Sequence, residues 1–266
     1  MNRIYNIVIV GLFVTLCSCE KVIELKLTNS DPKYVIEGVI TNEAGMCKVF
    51  ISQTKPFDEN NEFEGVADAT VKITDNGNEI SLFPTSAGVY TTNLVNGTPG
   101  HVYQLSVTVN GQDFTATSTM PQPVLMDSLY ISPGPFGQFK FATVSYTDPA
   151  GSNNNYRFVQ YKNGVKDPSI FWENDEFTDD QKVTIRLDGG VTKKDDPRNL
   201  LPGDVVTVEM LCIDEAVRKY WYSLKKDGGD GTGNSATPSN PVTNIQGGAL
   251  GYFSAHAINR LAVVVP

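Results

Sequence analysis

Only two imidazoles, His101 and His256, occur in this chain of 266 residues. Serine- or cysteine-type nucleophilic catalysis needs a histidine between a nucleophile and a carboxylate. His101 stands in Thr98-Pro99-Gly100-His101-Val102-Tyr103, a turn entering a strand. His256 stands in Ser254-Ala255-His256-Ala257, which reads as a tail loop. Neither adjoins a nucleophile motif, and the sequence has no Gly-x-Ser-x-Gly elbow. Hydrolase chemistry is therefore disfavoured, and no enzyme is expected.

The remaining candidates point to binding rather than reaction. Cys47 and Cys212 lie in strand-like segments of different halves, so they form either a bridge between the halves or two buried thiols. No Cys-x-x-Cys spacing supports zinc. The acidic run Glu173 to Asp180 could collect a cation but reads as a solvated loop. Asp227 to Asn234 is glycine-rich yet lacks the 1-3-5 oxygen spacing and closing Glu of a calcium loop. No metal or cofactor is expected. Among the aromatics Phe171, Trp172, Tyr220, Trp221 and Tyr222, most should pack into a core. Trp172, Trp221 and Tyr222 are the ones that could stack on a sugar or other ligand if they face outward.

The other two cysteines carry the sharper chemistry. Arg3 precedes an apolar run, Ile7 to Leu16, that is too short for the ~20 residues of a spanning helix and reads as a signal-peptide core. The run ends in Leu16-Cys17-Ser18-Cys19, which resembles a lipobox: a branched apolar residue, a small residue before the cysteine, then the acylated thiol. Cys17 fits less well, because bulky Leu16 precedes it. A di- or triacylated Cys19 would hold the protein at a bilayer, since one chain binds marginally and two or more bind stably. Glu20 follows where an inner-membrane retention signal would have Asp, so delivery to the outer membrane is expected, on either face.

These features need a scaffold, and the composition supplies one. Hydrophobic residues make up 40%, which supports a real core, and the net charge of −9 argues against nucleic acid. Loss of residues 1–18 would make that charge −10. Tyr34 to Ile40 is β-rich. Ala69 to Thr74 and Glu79 to Phe83 flank Asp75-Asn76-Gly77-Asn78, and Leu105 to Val109 leads into Asn110-Gly111 and a return strand with Phe114 and Ala116. Both read as hairpins, Asn-Gly supplying the positive φ of a tight turn. Further turns are expected at Asn96-Gly97, Asn163-Gly164, Asp188-Gly189 and Pro202-Gly203. The fold is expected to be mainly β: an anchor and tether over 19–32, an immunoglobulin- or transthyretin-like sandwich over 33–122, and a second β-rich domain over 123–266, sandwich or barrel-like. Met120-Pro121-Gln122-Pro123 would link them. One helix is expected near 214–226, where Val217, Tyr220, Trp221 and Leu224 share a face, Asp214 can cap the start and Gly228 can end it.

Cys19 to Leu25, Tyr34 to Ile40 and Val66 to Ile73 with Gly88-Val89-Tyr90 resemble the opening of a lipoprotein family abundant in Bacteroidota, catalogued only as a domain of unknown function. The resemblance continues through Leu201 to Asp204, Ile213 to Leu224, Asn240 to Ile245 and Gly247 to Phe253. It implies an outer-membrane lipoprotein, often encoded beside a TonB-dependent receptor, and no catalytic residues. The first half also resembles the carboxypeptidase regulatory-like domain, apart from the acidic insertion Phe57 to Glu64. The expectation is a lipid-anchored, non-enzymatic binding or accessory protein of nutrient uptake, partnered by a TonB-dependent transporter. A structural or adhesive surface module is the alternative.

Overall fold

The computed structural model describes residues 31–56, 63–134, 137, 139–151, 153–227 and 239–266. Cys17, Cys19, most of the acidic insertion and the glycine-rich segment from Gly228 lie outside the described residues. Pro32–Pro266 forms one compact unit. The fold is mainly β, with one helix among the described residues, and that helix is too short to cross a membrane.

The first core lies between two sheets. Strands β1 (Tyr34–Thr41), β2 (Cys47–Gln53) and β5 (Val89–Thr92) make one; β3 (Thr70–Asp75), β6 (Val102–Val109) and β7 (Gln112–Thr119) make the other. The alternation in β6 buries Tyr103, Leu105, Val107 and Val109 against Ile36, Ile40, Val49 and Ile51 from the opposite sheet. β4 (Asn78–Ser86) pairs with β3 over its first half and with β5 over its second, shifting register at Pro84, and so turns the corner between the sheets. The β3–β4 and β6–β7 hairpins have Asn76 and Asn110 at φ 47° and 49°, as their Asn-Gly sequences require. Asn96-Gly97 is not such a turn. Gly97 has no positive φ; a Cβ there would stand 2.4 Å from the Thr41 carbonyl oxygen, so the glycine permits close approach of two backbones.

The second core lies between β8 (Met126–Pro133), β9 (Lys140–Thr147) and β13 (Lys182–Leu187) on one side, and β10 (Asn155–Lys162), β14 (Val205–Cys212) and the end of β16 (Leu250–Val264) on the other. Short β11 (Val165–Lys166) and β12 (Phe171–Asn174) pair along the free edge of β10. Tyr146, Tyr156, Phe158, Val208 and Met210 fill this core. The segment Met120–Pro123 joins β7 to β8. It is packed down: Met120 is buried, donates its N–H to the His101 carbonyl and accepts from the Gly100 N–H.

β16 belongs to both cores. Leu250 to His256 pair with β1 in parallel, and Ala257 to Val264 pair with β14 antiparallel. Phe253 and Ala255 enter the first core, Ala257 the second. Where its first half has no strand on the far side, side chains take the place of one. Asn244 accepts the Phe253 N–H at 2.9 Å and donates to the Phe253 carbonyl at 2.7 Å. Ser118 Oγ accepts the Ala255 N–H, and Thr243 Oγ1 donates to the Gly251 carbonyl. β15 (Ile245–Gln246) follows Asn244 and pairs with β7. Asn244→Ala leaves a buried N–H and carbonyl unpaired, which costs about 2 kcal/mol. Thermal unfolding should show a Tm loss of about 4–8 °C; a loss below 1 °C would show that water replaces the amide.

Candidate functional site

The helix α1 (Glu215–Asp227) organises the surface chemistry. Asp214 caps it, its Oδ1 accepting the Val217 N–H at 2.9 Å, as the sequence indicates. Asp214 Oδ2 accepts from Ser118 Oγ and the Thr119 N–H, so the cap also ties the helix to β7. Glu215 and Lys219 pair one turn apart at 2.9 Å, and Lys225 and Lys226 occupy the last turn, where the dipole favours cations.

Side chains alternate across a strand, so the residues between the core positions of β10, β14 and β16 face outward. Val159 and Leu211 do so, Ile213 follows just past β14, and buried Val217 of α1 closes on them as a third, small cluster. On one flank of this cluster Trp221 meets Tyr220 and Tyr252 at ring distances of 5.2 and 5.1 Å, and the Arg157 guanidinium carbon lies 3.4 Å from its ring centre. A cavity of about 220 Å³ opens there. On the other flank Trp172 of β12 and Tyr222 pack edge to face at 5.2 Å. The three sequence-selected aromatics thus divide: Trp172 and Tyr222 meet, and Trp221 serves a different hollow.

Trp172 lines the larger cavity, of about 640 Å³, with Phe171, Ile185, Arg186, Asp188 and Lys225. β12 extends one sheet and β13 the other, and the cavity is lined by both of these strands, with the last turn of α1 on its rim. Burial pushes the Glu173 carboxyl up, opposed by the charge of Lys225. The Trp172 indole N–H is buried with no hydrogen-bond partner. Phe171 and Trp172 were visible as an aromatic pair in the sequence. Arg186 and Asp188, which stand 3.9 Å apart, were not, because nothing local distinguishes them from surface charges.

The histidines do not assemble a catalytic centre. His101 Nδ1 contacts Asp75 at 2.8 Å and Asn76 at 3.2 Å. His256 is not in a loop: it is buried in β16, with Nδ1 2.8 Å from Ser254 Oγ. Ser254 and His256 are two positions apart on one strand face, so their contact follows from strand geometry. Burial, aided by the charge of Arg157, lowers the His256 pKa to about 3. Such an imidazole is too weak a base to activate a hydroxyl at neutral pH.

The bridge left open between Cys47 and Cys212 is not made. Both are free and buried, in different cores, and burial pushes their thiols up to about 12 and about 11. Cys212 instead accepts the Val124 N–H at 3.2 Å. Among the described residues one group could hold a cation: oxygens of Asp148, Asp175 and Asp179 lie within 4.8 Å of one another. Oxygen ligands of this kind suit a hard divalent ion. They are engaged already, by the Tyr156 hydroxyl and the N–H groups of Asn154 and Gly151, and so fasten two loops together.

The family profile described as "Domain of unknown function (DUF4249)" matches residues 20–261. No curated protein matches the chain. Solved structures similar to it include a two-domain fibronectin type III segment of chicken tenascin, at 13% identity and TM-score 0.22, covering 68% of this chain and 90% of that one. A cytokine receptor complex matches at 12% identity and TM-score 0.27, covering 86% and 94%. A Bacteroides uniformis protein described as a candidate carbohydrate-binding protein matches at 9% identity and TM-score 0.26, covering 87% and 98%. At these scores the likenesses carry no argument about ligand or partner.

Proposed function

The chain belongs to the family described as Domain of unknown function (DUF4249), whose profile spans both cores, and from that premise we propose a lipid-anchored, non-enzymatic binding protein of the outer membrane that serves a TonB-dependent transporter. The observation that carries the binding role is the 640 Å³ cavity. Its size falls within the range of small-molecule sites, ~300–1,000 Å³. Phe171 and Trp172 offer apolar faces, and Arg186, Asp188 and Lys225 offer both signs of charge. That mixture suits a polar ligand with an apolar face, such as a sugar. A double sandwich presenting such a hollow needs no reacting group.

The anchor rests on Leu16-Cys17-Ser18-Cys19 and on the arithmetic of acyl chains. Cys19→Ala should move the protein from the detergent phase to the aqueous phase after phase separation. If that variant still partitions with outer membranes, the anchoring idea fails. The transporter partnership is tested by mild detergent extraction: a stoichiometric β-barrel transporter should co-purify with the intact protein, and its absence would leave an adhesive or structural module. The binding role is tested by titrating a panel of neutral mono- and oligosaccharides against wild type and Trp172→Ala. The variant should lose at least tenfold in affinity for any sugar bound, and equal affinities would place binding elsewhere.

A further inference from the structure

The smaller cavity, on the opposite flank of α1, has a charge imbalance that the sugar-type hollow lacks. Arg157 projects from β10 beneath the helix. It makes no hydrogen bond and no ion pair among the described residues, and its Nε is buried without a partner. Its one strong contact is the Trp221 ring at 3.4 Å, worth up to ~2 kcal/mol as a cation–π stack. Only its Nε is shut off from water, in a residue of intermediate exposure, so part of the desolvation cost of an unpaired guanidinium applies, and it cannot escape by losing its proton. Burial pulls it below the ordinary arginine range, opposed in part by the neighbouring tyrosines and by the charge of Glu209, which makes no hydrogen bond or ion pair with it among the described residues.

The neighbouring groups do not supply the missing anion. Glu209 is spent: one oxygen accepts from Arg260 at 2.7 Å, the other from the Tyr161 hydroxyl at 3.0 Å. Arg260 is shared with Glu43. His256 is neutral, Tyr252 and Ser254 are uncharged, and Lys166 adds a second cation to the wall. Burial and the charge of Arg157 both push the Lys166 ammonium down. Glu37, across from Tyr252 on β1, favours the Lys166 ammonium through its charge, but it stands exposed and makes no ion pair with Lys166 or Arg157 among the described residues.

We propose that this cavity binds the oxyanion end, carboxylate or phosphate, of a small organic anion, with Arg157 as its forked donor and Lys166 as a second positive contact. Trp221 stacks on the guanidinium at 3.4 Å, and a guanidinium fork offers two parallel N–H donors to an acceptor pair. At about 220 Å³ the space takes a head group rather than a whole large ligand. The inference is independent of the sugar reading, because it uses a different cavity and none of the same side chains.

The experiment titrates the soluble protein lacking residues 1–19 with benzoate, and separately with phenyl phosphate, at constant ionic strength set by chloride. The readouts are the Tm and the NMR signal of the Arg157 Nε–H. A saturable shift with either probe supports the site, and the stronger of the two names the head group. Arg157→Met, which keeps the stack's volume without charge, should remove the response. Should that variant fail to fold, Arg157→Lys serves, and it should weaken binding at least tenfold by losing the fork. Shifts that stay linear and match chloride, or a variant that binds as wild type does, overturn the proposal.

Discussion

Replacing Gly251 by alanine should lower stability by about 4 kcal/mol, a Tm loss of about 8–16 °C for a unit of this size. Gly251 has φ +96°, and a Cβ there would lie 2.1 Å from the Ile36 carbonyl oxygen. Ile36 is its register partner in the parallel β1–β16 pair. The added methyl must therefore push the two strands apart where Ile36 and Phe253 fill the first core. Gly248 separates backbone strain from collision: its φ is +92°, but a Cβ there meets nothing within 4 Å. Gly248→Ala should cost only about 1–2 kcal/mol. Thermal unfolding of the two variants decides the matter, and equal losses would mean that β16 yields locally without loosening the core.

Acid should destabilise the protein through His256. Burial lowers its folded pKa to about 3, against 6.5 in the unfolded chain. Below pH 6.5 the unfolded chain takes a proton that the folded chain refuses. The stability this site contributes is thus fully present above pH 6.5 and is lost as the pH falls towards 3. Integrated from pH 7 to 5, the loss is about 2 kcal/mol, with a limiting slope of about 1.4 kcal/mol per unit. Asp148 and Glu173 have the opposite sign, since burial raises their pKa values and their effect is lost as the pH rises. The comparison is therefore with His256→Gln, in which those terms are unchanged. Denaturant curves at pH 7, 6 and 5 should converge for wild type and variant as the pH falls, by about 2 kcal/mol overall. Parallel curves would place the imidazole in contact with water.

What the sequence made legible was whatever depended on neighbouring residues. Strands with one polar face, such as β6, alternate visibly, and the Asn-Gly turns announce their φ values. Helix α1 carried both its apolar stripe and its cap. The first half of β16 did not show itself, because Gly251 and Phe253 to Ala257 are all buried and the run mixes glycine, serine and histidine. A strand buried on both sides has no period to read. Arg157 stands between Tyr156 and Phe158 as a charged residue does at any outward strand position. Its enclosure is made by Trp221, which comes from a remote helix, so no local signal could mark it. Trp172 and Tyr222 were recognised by type, yet their meeting, and the separation of Trp221 from both, is a matter of packing alone.

The pairing of β1 with β16 also bears on the order of events during synthesis. Val35 to Thr41 wait for residues 250–256, and β14 waits for residues 257–264, so neither core can close while those residues are still being made. Contacts this distant in sequence form late, because the loop-closure entropy precedes the gain. The emerging chain should remain loose until residues 250–264 are made and complete both sandwiches in one step.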